Sequence, residues 1–325
     1  MVNKFIAFHV YQYTYRGTGT CTFDYAYYNQ TILKNKSYIL APVKRDVHDS
    51  IEMIKKFSCF ETLYYNDWND VEKICIDNKI DAVYIIKYGN KDKYILKTIP
   101  TFIHCVFTTE EPHGSIYAGV SDSVSEKNRL SKKFPIVNHI VKLPNVNDDY
   151  RKLLDIPEDA IVFGRHGGED TFDILFVKNV ILNILSFKKN IYFLFAVRPT
   201  ILKDVEHSNI IYIESFADDR IKRKFINTCD AMLDACSLGQ SFGLSILEFS
   251  YCNKPVITWN GGRLHDQHLR NLGNKAVKYN NENELYNILN NFNKTEYKKQ
   301  DWKIDVFSPE YVMNQFNSVF LSILN

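Results

Sequence analysis

The sequence has little of what marks nucleic-acid-binding or membrane-spanning chains. Its 40 basic and 38 acidic side chains leave a formal net charge of +2, and without a basic excess or stripe nucleic acid is not an expected partner. No apolar run approaches the roughly 18 residues that a membrane-spanning helix needs, and residues 1–10 show no secretory signal. We therefore expect a soluble chain without a transmembrane segment, while peripheral contact with a membrane stays open.

Paired cysteines are missing as well. The 7 cysteines are odd in number and no two of them form a CxxC pair, which argues against a disulfide framework. His265 and His268 lie close together in the sequence, but no further metal ligand accompanies them. We expect reduced core thiols in a cytoplasmic protein and no metal site.

What the sequence does contain is a repeated alternation of short β-rich apolar runs and amphipathic stretches, the pattern of βαβ units on a parallel sheet. The first series predicts strands near 4–10, 36–42, 59–65, 82–88, 100–107, 116–120 and 139–143, with helices near 22–34, 47–56, 68–79 and 121–132. The second predicts strands near 160–164, 190–197, 209–215, 231–236, 255–259 and 275–280, with helices near 172–187, 217–229, 242–252, 264–272 and 282–291.

A polar, proline-bounded segment at 144–157 separates the two series and is typical of a linker. At 325 residues the chain is long enough for two cores. We predict an α/β fold of two Rossmann-like, doubly wound parallel-sheet domains facing across a cleft, with ligands beyond the carboxyl ends of the strands. The first domain would span 1–145 and the second 146–300, and a C-terminal helix within 301–325 would pack back on the first domain.

The most informative stretch is residues 229–259, CDAMLDACSLGQSFGLSILEFSYCNKPVITW. It predicts a strand, a glycine-bearing loop, a helix and a strand, and it places Ser241, Phe242, Gly243 and Leu244 at the start of the helix. Unpaired amides and the positive end of the helix dipole make such a position an anion site, suited to a diphosphate. Gly243 would let the backbone approach a ligand closely.

Glu248 lies among apolar neighbours in the same helix. An ionised carboxylate is costly to bury unless donors meet it, and two vicinal ribose hydroxyls are such donors. The alternative is that Ser245, Glu248 and Cys252 form an ordinary solvent-facing strip. The helix alone leaves both interpretations open.

Residues 239–257, GQSFGLSILEFSYCNKPVI, resemble the donor-site signature of the family 4-like glycosyltransferases (glycosyl transferases group 1), which have the GT-B fold. That signature is a Glu, Gly-Phe-Gly-Leu or similar, a second Glu and then Pro-Val-Ile. The resemblance implies that Glu248, the second Glu, holds the ribose hydroxyls of a nucleotide sugar. It also implies that the amides around Phe242, Gly243 and Leu244 contact the sugar and the diphosphate.

The first Glu of the signature is replaced by Gln240, and Ser241 stands where the family usually has Gly. In the family this Glu contacts the donor sugar. A Gln still makes hydrogen bonds there but brings no negative charge beside an oxocarbenium-like centre. The resemblance therefore assigns Gln240 to the donor sugar, with activity retained, redirected or lost.

A second match is residues 161–174, IVFGRHGGEDTFDI, just after the start of the second series. Family members carry Gly-Arg there and then a Lys, and the two cations hold the diphosphate. Gly164 and Arg165 fit, but residues 169–173 contain no Lys. Arg165 is then expected to bind phosphate with help from His166, Arg198 or Arg263, and the alternative is a surface arginine at a strand end.

In the first half, residues 16–20 (RGTGT) are predicted to form the first strand-to-helix loop. Their spacing is not G-x-G-x-x-G and no acidic residue ends the second strand, so NAD binding is not expected. The GT-B resemblance instead places Gly17, Thr18 and Gly19 near the donor diphosphate and the acceptor. It also makes His113, on the loop 108–119, the candidate to contact the reacting sugar, with His104 as its rival.

The resemblance implies a retaining, metal-independent glycosyltransferase that moves a hexose-type sugar from a nucleotide-diphosphate sugar to a glycan or other hydroxyl acceptor, in glycan biosynthesis. No resident cofactor is expected, since the nucleotide sugar is a substrate. The lack of a usable DxD motif argues against the metal-dependent GT-A class. Two alternatives stay open: a GT-B-fold protein that binds sugar nucleotides or glycans without catalysis, and a nucleotide-sugar epimerase, for which the sequence identifies no acid/base carboxylates.

Overall fold

The computed structural model describes residues 4–126 and 128–324. The chain divides into two compact units, one formed by Met1–Ile140 with Val306–Asn325 and the other by Val141–Asp305. The second unit therefore begins a few residues before the predicted start at 146 and ends a few residues after the predicted end at 300. Among the described residues, no helix is both long enough and apolar enough to cross a membrane.

The first unit is built on a six-stranded sheet whose strand pairs are all parallel. Its spatial order, β3-β2-β1-β4-β5-β6, is the doubly wound Rossmann order. The strands are β1 (Phe5–His9), β2 (Lys36–Pro42), β3 (Glu61–Tyr65), β4 (Ala82–Lys87), β5 (Thr101–Cys105) and β6 (Ile116–Gly119). The helices are α1 (Gly17–Thr31), α2 (Ile51–Phe57), α3 (Trp68–Asp77) and α4 (Asp122–Glu126).

Local sequence explains these elements well. Residues 6–8 of β1 and 39–41 of β2 are fully buried, which is the continuous apolar run of a parallel strand covered on both faces. Ser50 caps α2 by accepting from the Met53 amide, and Asp67 forms a capping box with Asp70 at the start of α3.

The second unit repeats the same plan with strands β7 (Ile161–His166), β8 (Ile191–Ala196), β9 (Ile210–Ile213), β10 (Ala231–Leu233), β11 (Val256–Trp259) and β12 (Ala276–Tyr279). They form a second parallel sheet in the order β12-β11-β10-β7-β8-β9. Its helices are α5 (Leu175–Phe187), α6 (Asp219–Thr228), α7 (Leu244–Tyr251), α8 (Gln267–Leu272), α9 (Glu282–Asn290) and α10 (Lys294–Lys298). When the six strands of this unit are numbered from β7, their spatial order is the same as in the first unit, the Rossmann order. The predicted fold class of two Rossmann-like parallel-sheet domains is confirmed.

Side chains of β7 alternate between two apolar clusters that cover the two faces of the second sheet. Phe163 belongs to the cluster that contains Phe193 and Leu233. Its neighbour Val162 belongs to the cluster that contains Phe225 and Phe249. Because side chains alternate along any strand, Arg165 lies on the same face of the sheet as Phe163, and His166 lies on the opposite face.

The last helix, α11 (Pro309–Val319), belongs to the first unit. Ser308 caps it by accepting from the Tyr311 amide. Phe316 of α11 is fully buried, with its ring 5.5 Å from that of Tyr25 in α1 and 6.2 Å from that of Phe8 in β1. The C-terminal segment therefore supplies part of the first unit's core.

The glycines at 17 and 19 are not in a loop, as the sequence predicted, but in the first turn of α1. The carbonyl of Arg16 accepts from the amides of Gly19 and Thr20 and so opens the helix five residues before the predicted start near 22. Glycine's low helix propensity suggested a loop, yet Gly19 is needed for another reason. A Cβ there would lie 2.4 Å from the Thr14 carbonyl oxygen.

One predicted strand is absent, and one predicted helix is shorter than expected. The strand predicted near 139–143 does not form. An isolated bridge joins Gly119, at the end of β6, to Ile136. The Asn138 carbonyl accepts a hydrogen bond from the Tyr25 hydroxyl and not from the amide of a neighbouring strand. The helix predicted over 121–132 is described only as Asp122–Glu126, and residue 127 lies outside the described residues. Beyond it the Asn128 side chain accepts from the Leu130 amide, a local bond that competes with helix.

Gly164 in β7 generates a stability prediction. A Cβ at this position would lie 2.1 Å from Cys229 Sγ and 3.5 Å from Phe249 Cζ. We expect Gly164→Ala to lower the free energy of unfolding by about 1–3 kcal/mol through overpacking, measured by urea denaturation. Adding Cys229→Ala should recover most of that loss. Gly17→Ala is the control, since nothing lies within 4 Å of its Cβ; a Gly164→Ala protein as stable as this control would contradict the packing described.

Candidate functional site

The carboxyl end of the second sheet has a topological switch point between β7 and β10, the two strands at which the strand order reverses. Connections from neighbouring strands leave toward opposite faces there, so a crevice opens at the strand ends. The segment 234–243, which follows β10, carries Gln240 and Ser241, and Arg165 lies just before the segment 167–174, which follows β7.

Arg165, the next-to-last residue of β7, is only 2 % exposed. Its Nη2 donates to the Gly168 carbonyl at 3.1 Å and to the Thr171 hydroxyl. Its Nε and Nη1 have no hydrogen-bond partner among the described residues. The alternative of a surface arginine is thereby excluded, and two N–H donors of a buried cation remain unmatched.

Electrostatics around Arg165 preserve its charge. Burial lowers the pKa of the guanidinium, and of the several groups that oppose this shift Asp234 has the largest effect. An arginine in a protein stays protonated despite such a shift. Gly167, with a φ of +142°, lets the chain turn around the guanidinium, because a Cβ there would lie 3.2 Å from Nη2.

Asp173 ties the two segments of the switch point together. Its amide donates to the Ala235 carbonyl at 3.0 Å, and its carboxylate accepts from both the amide and the hydroxyl of Ser237. Arg263, one of the predicted helpers, reaches the same place, with Nη2 donating to Ser237 Oγ at 3.1 Å. Arg198, another predicted helper, instead pairs with Glu206 at 2.8 Å and covers the Tyr212 ring.

The segment before α7 is held close against the segment after β11. Gly239 has a φ of +73°, and a Cβ on it would lie 1.8 Å from the His265 carbonyl oxygen. Leu264 and His265 both donate their amides to the Leu238 carbonyl. His265 and His268 are buried beside this turn, and no group of three or more metal-ligating side chains is found among residues 4–126 and 128–324.

Gly243 is the N-cap of α7 and adopts the left-handed conformation, with φ 85° and ψ 48°. It provides no side-chain cap, and a Cβ would lie 2.9 Å from the His268 Cβ. Asn271 Nδ2 donates to the Phe242 carbonyl at 3.0 Å and fixes the turn. An eight-residue helix thus begins at Leu244, as predicted. Residue 243 has no side chain that could accept a hydrogen bond from the amides of its first turn.

Gln240 contacts a buried carboxylate that the sequence analysis did not select. Its Nε2 donates to Asp234 Oδ1 at 3.2 Å, while Asp234 Oδ2 accepts from the Thr258 hydroxyl at 2.9 Å. Asp234 is 1 % exposed and directly follows β10. A polar residue at the end of a buried strand was the available signal.

Glu248 is buried, which excludes the solvent-strip alternative. Its Oε1 lies 2.7 Å from Lys222 Nζ of α6, and its Oε2 lies 3.1 Å from His166 Nε2 at the end of β7. Burial raises the pKa of Glu248, but Lys222 and His166 together outweigh it and hold the pKa at about 2. Protein donors therefore meet this carboxylate, and no sequence signal pointed to Lys222.

Arg165 and Glu248 lie on opposite faces of the second sheet. Arg165 shares the face of Phe163 and approaches the Phe172 ring, whereas His166, which binds Glu248, stacks against Phe249. Arg165 near the end of β7 and Gln240 in the loop after β10 thus belong to the two strand-and-loop segments that meet at one switch point. The structure does not bring the Glu248 carboxylate to the same side of β7.

The candidates of the first unit are described on their own. Gly17 and Thr18 are exposed and Gly19 is buried in the first turn of α1, after β1 at the switch point of the first sheet. His113 is 7 % exposed; its Nδ1 is bonded to the Glu111 carbonyl at 2.6 Å, its Nε2 has no partner among the described residues, and burial lowers its pKa. A neutral His113 with one unmatched ring nitrogen is consistent with the predicted contact to a hydroxyl.

His104, the rival of His113, is a core residue. It is fully buried in β5, its Nδ1 is hydrogen-bonded to the Tyr84 hydroxyl at 2.6 Å, and its ring packs against Tyr25 and Phe320. Burial lowers its pKa to about 3. His104 is therefore neutral and enclosed by aromatic side chains.

No family model and no curated protein sequence matches this chain. Solved structures do, across nearly the whole of both chains. A glycosyltransferase from Rickettsia africae is 16 % identical over 97 % of this chain and 95 % of its own, with a TM-score of 0.66. Anabaena HepE, in complex with UDP and glucose, is 11 % identical over 98 % and 99 %, with a TM-score of 0.69.

A third similar structure, a putative UDP-N-acetylglucosamine 2-epimerase from Listeria monocytogenes, is 10 % identical over 100 % and 97 %, with a TM-score of 0.62. At these identities the likeness concerns the fold. The chain has the two Rossmann-like domains of the GT-B fold, which glycosyltransferases and nucleotide-sugar epimerases share.

The buried ion cluster of Glu248 generates the second prediction. Glu248→Gln keeps the shape but removes the carboxylate 2.7 Å from the buried Lys222 ammonium and leaves that ammonium only Asp219, at 3.2 Å. We therefore expect a loss of about 1.5–3 kcal/mol in the free energy of unfolding at pH 7, the contribution of a hydrogen bond to a charged group. Because the folded-state pKa is about 2 and the ordinary value 4.5, the carboxylate stabilises above pH 4.5 and loses that effect as the pH falls toward 2.

Urea denaturation of both proteins between pH 7 and pH 3 measures this difference, which should shrink in acid. Glu206→Gln, at an 80 % exposed carboxylate paired with Arg198, is the matched control and should change stability by at most about 1 kcal/mol. A Glu248→Gln difference that stays constant down to pH 3 would rule out the ionised pair as its cause.

Proposed function

We propose that this chain is a glycosyltransferase that moves a sugar from a nucleotide-diphosphate sugar to an acceptor hydroxyl. The proposal puts the nucleotide sugar at the carboxyl edge of the second sheet, at the switch point between β7 and β10. Glycosyltransferases with the same fold support it, and one of them is in complex with UDP and glucose.

The observation that carries the proposal is the state of Arg165. A buried cation with unmet donors costs several kcal/mol, and Nε and Nη1 of Arg165 are such donors. An anion at this place would satisfy them, and the planar fork of a guanidinium suits phosphate oxygens. The first turn of α7, which follows β10 along the chain and has no side-chain cap from residue 243, would supply further donors.

Arg165 and the amides at Gly243 and Leu244 would stabilise the charge that builds on the departing diphosphate, which is where electrostatic help to transfer is most effective. The acceptor hydroxyl would take the sugar as the bond to the diphosphate breaks. Ser241 and Phe242 complete the proposed donor-binding turn. No cofactor enters the proposal, because the nucleotide sugar is itself the donor substrate.

Gln240 is the proposed contact to the donor sugar. Asp234 takes a hydrogen bond from its Nε2, which leaves the Gln240 carbonyl oxygen to accept from a sugar hydroxyl. The negative charge that the family places at this position is thus kept nearby on Asp234. Glu248 holds His166 and Lys222 in place, and its contact with the ribose remains part of the proposal from the family resemblance.

The finer features of the proposal come from that resemblance. They are a hexose-type sugar, retention of anomeric configuration, independence of metal ions, and a glycan or other hydroxyl acceptor. His113, Gly17, Thr18 and Gly19 are assigned to the donor diphosphate and the reacting sugar on the same ground. Action in the cytoplasm is proposed from the unpaired cysteines.

A panel of nucleotide sugars tests the proposal, with UDP-glucose as the first member. We expect UDP to bind and Arg165→Met to weaken its binding by roughly tenfold to a hundredfold, since a hydrogen bond to a charged group contributes about 1.5–3 kcal/mol. Calorimetric titration measures the affinity, and release of free nucleoside diphosphate measures turnover. Arg198→Met, at an arginine paired with Glu206, is the matched control; equal losses in the two variants would remove the support for the site.

A GT-B-fold protein that binds nucleotide sugars without transferring them is the second candidate, favoured by Gln240 in place of the signature Glu. The two candidates differ in the effect of Gln240→Glu. If the chain is a transferase built around Gln240, a second carboxylate beside Asp234 introduces like-charge repulsion, so we expect turnover to fall by at least about tenfold and Asp234→Asn to relieve the loss in the double variant.

An inactive wild type that gains turnover with Gln240→Glu would instead establish the binding-protein candidate. Product analysis addresses the epimerases of the same fold. Conversion of the nucleotide sugar to its epimer without an acceptor would overturn the transferase proposal.

A further inference from the structure

A cavity of about 200 Å³ opens at the opposite edge of the second sheet, beside the amino ends of β10 and β11. Its lining is Asp230, Cys252, Asn253, Lys254, Pro255, Lys294, Tyr297 and Lys298. Asp230 and Pro255 directly precede β10 and β11, whereas Arg165 lies near the far end of β7. A six-residue strand spans about 20 Å, so this cavity is separate from the proposed nucleotide-sugar site.

Three ammonium groups line the cavity, and none of them has a carboxylate within ion-pair distance in the described parts of the chain. Lys254 Nζ donates to the carbonyls of Asn227 and Cys229. Lys294 Nζ donates to the carbonyls of Glu158 and Ala160 at 2.8 and 3.3 Å. Both cations are therefore held in fixed positions by neutral groups, which leave their charge uncompensated.

The single carboxylate of the lining is already engaged. Asp230 Oδ2 accepts from Arg151 Nη2 at 2.8 Å and from the Val162 amide at 2.9 Å. Arg151 in turn donates to the carbonyls of Glu158 and Ala160, the same two that bind Lys294. Arg151 therefore offsets the Asp230 charge, and the three lysines give the cavity a net positive charge of about three.

Electrostatic repulsion among these lysines reduces the stability of the folded unit. Burial lowers the pKa of Lys254; Cys229 and Asp230 oppose this shift, and Lys298 adds to it. Like charges gathered around a concave, partly enclosed space attract a multivalent anion more strongly than an exposed patch does. Each ammonium has three N–H donors, so Lys254 and Lys294 each keep one beyond the two bonded to carbonyls.

We propose that this cavity, between Lys254, Lys294 and Lys298, is a second anion site that binds the phosphate group of a small phosphorylated molecule. The site goes beyond the proposed transferase activity and does not depend on it. Phosphate chemistry fits because several oxygens can be shared among three ammonium groups, and a cavity of about 200 Å³ admits a diphosphate or a sugar phosphate and not a macromolecule.

Calorimetric titration of the full chain with pyrophosphate tests the proposal, with inorganic phosphate as a weaker probe. Lys298 is exposed and makes no hydrogen bond through its ammonium in the described structure, so Lys298→Ala should fold normally. We expect Lys298→Ala and Lys294→Ala each to weaken pyrophosphate binding by about tenfold, the effect of one charged hydrogen bond. Binding should also weaken as salt rises.

Arg165→Met separates this site from the proposed nucleotide-sugar site, and Lys97→Ala, an exposed lysine of the first unit, controls for the loss of one positive charge. One pyrophosphate-binding event should persist in both variants, whether or not the transferase proposal holds. Three results would each overturn the second site: no binding at millimolar pyrophosphate, loss of all binding in Arg165→Met, or unchanged binding in Lys298→Ala and Lys294→Ala.

A lipid headgroup carries the same phosphate chemistry, and sedimentation with vesicles of anionic or neutral phospholipid distinguishes the two sources. Lysine-dependent binding to anionic vesicles together with no binding of pyrophosphate would assign the cavity to a lipid and overturn the proposal for a small molecule.

Discussion

Arg165 holds a permanent positive charge almost entirely out of contact with water. The polar structure of the second unit's carboxyl edge can be understood from that constraint. One of its nitrogens is hydrogen-bonded to the segment that follows β7, and the negative charges of Asp234 and Asp173 oppose the effect of burial on its pKa. Two nitrogens are left for a ligand. A group of this kind stabilises the folded chain less than it prepares a site for an anion, because the cost of burying it is recovered only when the donors are met.

Strand alternation divides the chemistry of β7 between two faces. Arg165 and His166 are neighbours in sequence, but one turns toward Phe172 and the other toward Phe249. The first face carries the two unmatched donors of Arg165, whereas on the second Glu248 lies 2.7 Å from Lys222 Nζ and 3.1 Å from His166 Nε2. The two signature residues that the family resemblance joins through one nucleotide thus have different surroundings: one is prepared for an anion, and the other has its charge satisfied by the protein.

Positive charge is distributed over both edges of the second sheet by different means. At the carboxyl edge a single guanidinium is buried at the topological switch point, where doubly wound sheets open a crevice. At the amino edge three lysines are gathered around a cavity and two of them are fixed by carbonyls of the residues that lead into β7 and β10. Among the described residues neither group forms a direct ion pair with a carboxylate, although the chain as a whole carries a formal charge of only +2.

The sequence by itself determined the two series of parallel strands and the glycine turn that opens α7, because each depends on apolar periodicity or on residues within one turn of chain. It misplaced the start of α1 and added a strand at 139–143. Gly19 is required by the Thr14 carbonyl, and Asn138 bonds to the Tyr25 hydroxyl and to Gln315, contacts that local pattern does not contain. Only the tertiary structure decided that Glu248 is paired with Lys222, that Gln240 rests on Asp234, and that Lys254, Lys294 and Lys298 share one cavity. Lys222 and Glu248 come from different helices, Asp234 and Gln240 lie on one irregular loop, and Lys254 is distant in sequence from Lys294 and Lys298. The packing of the sheet and its helices brings each set together.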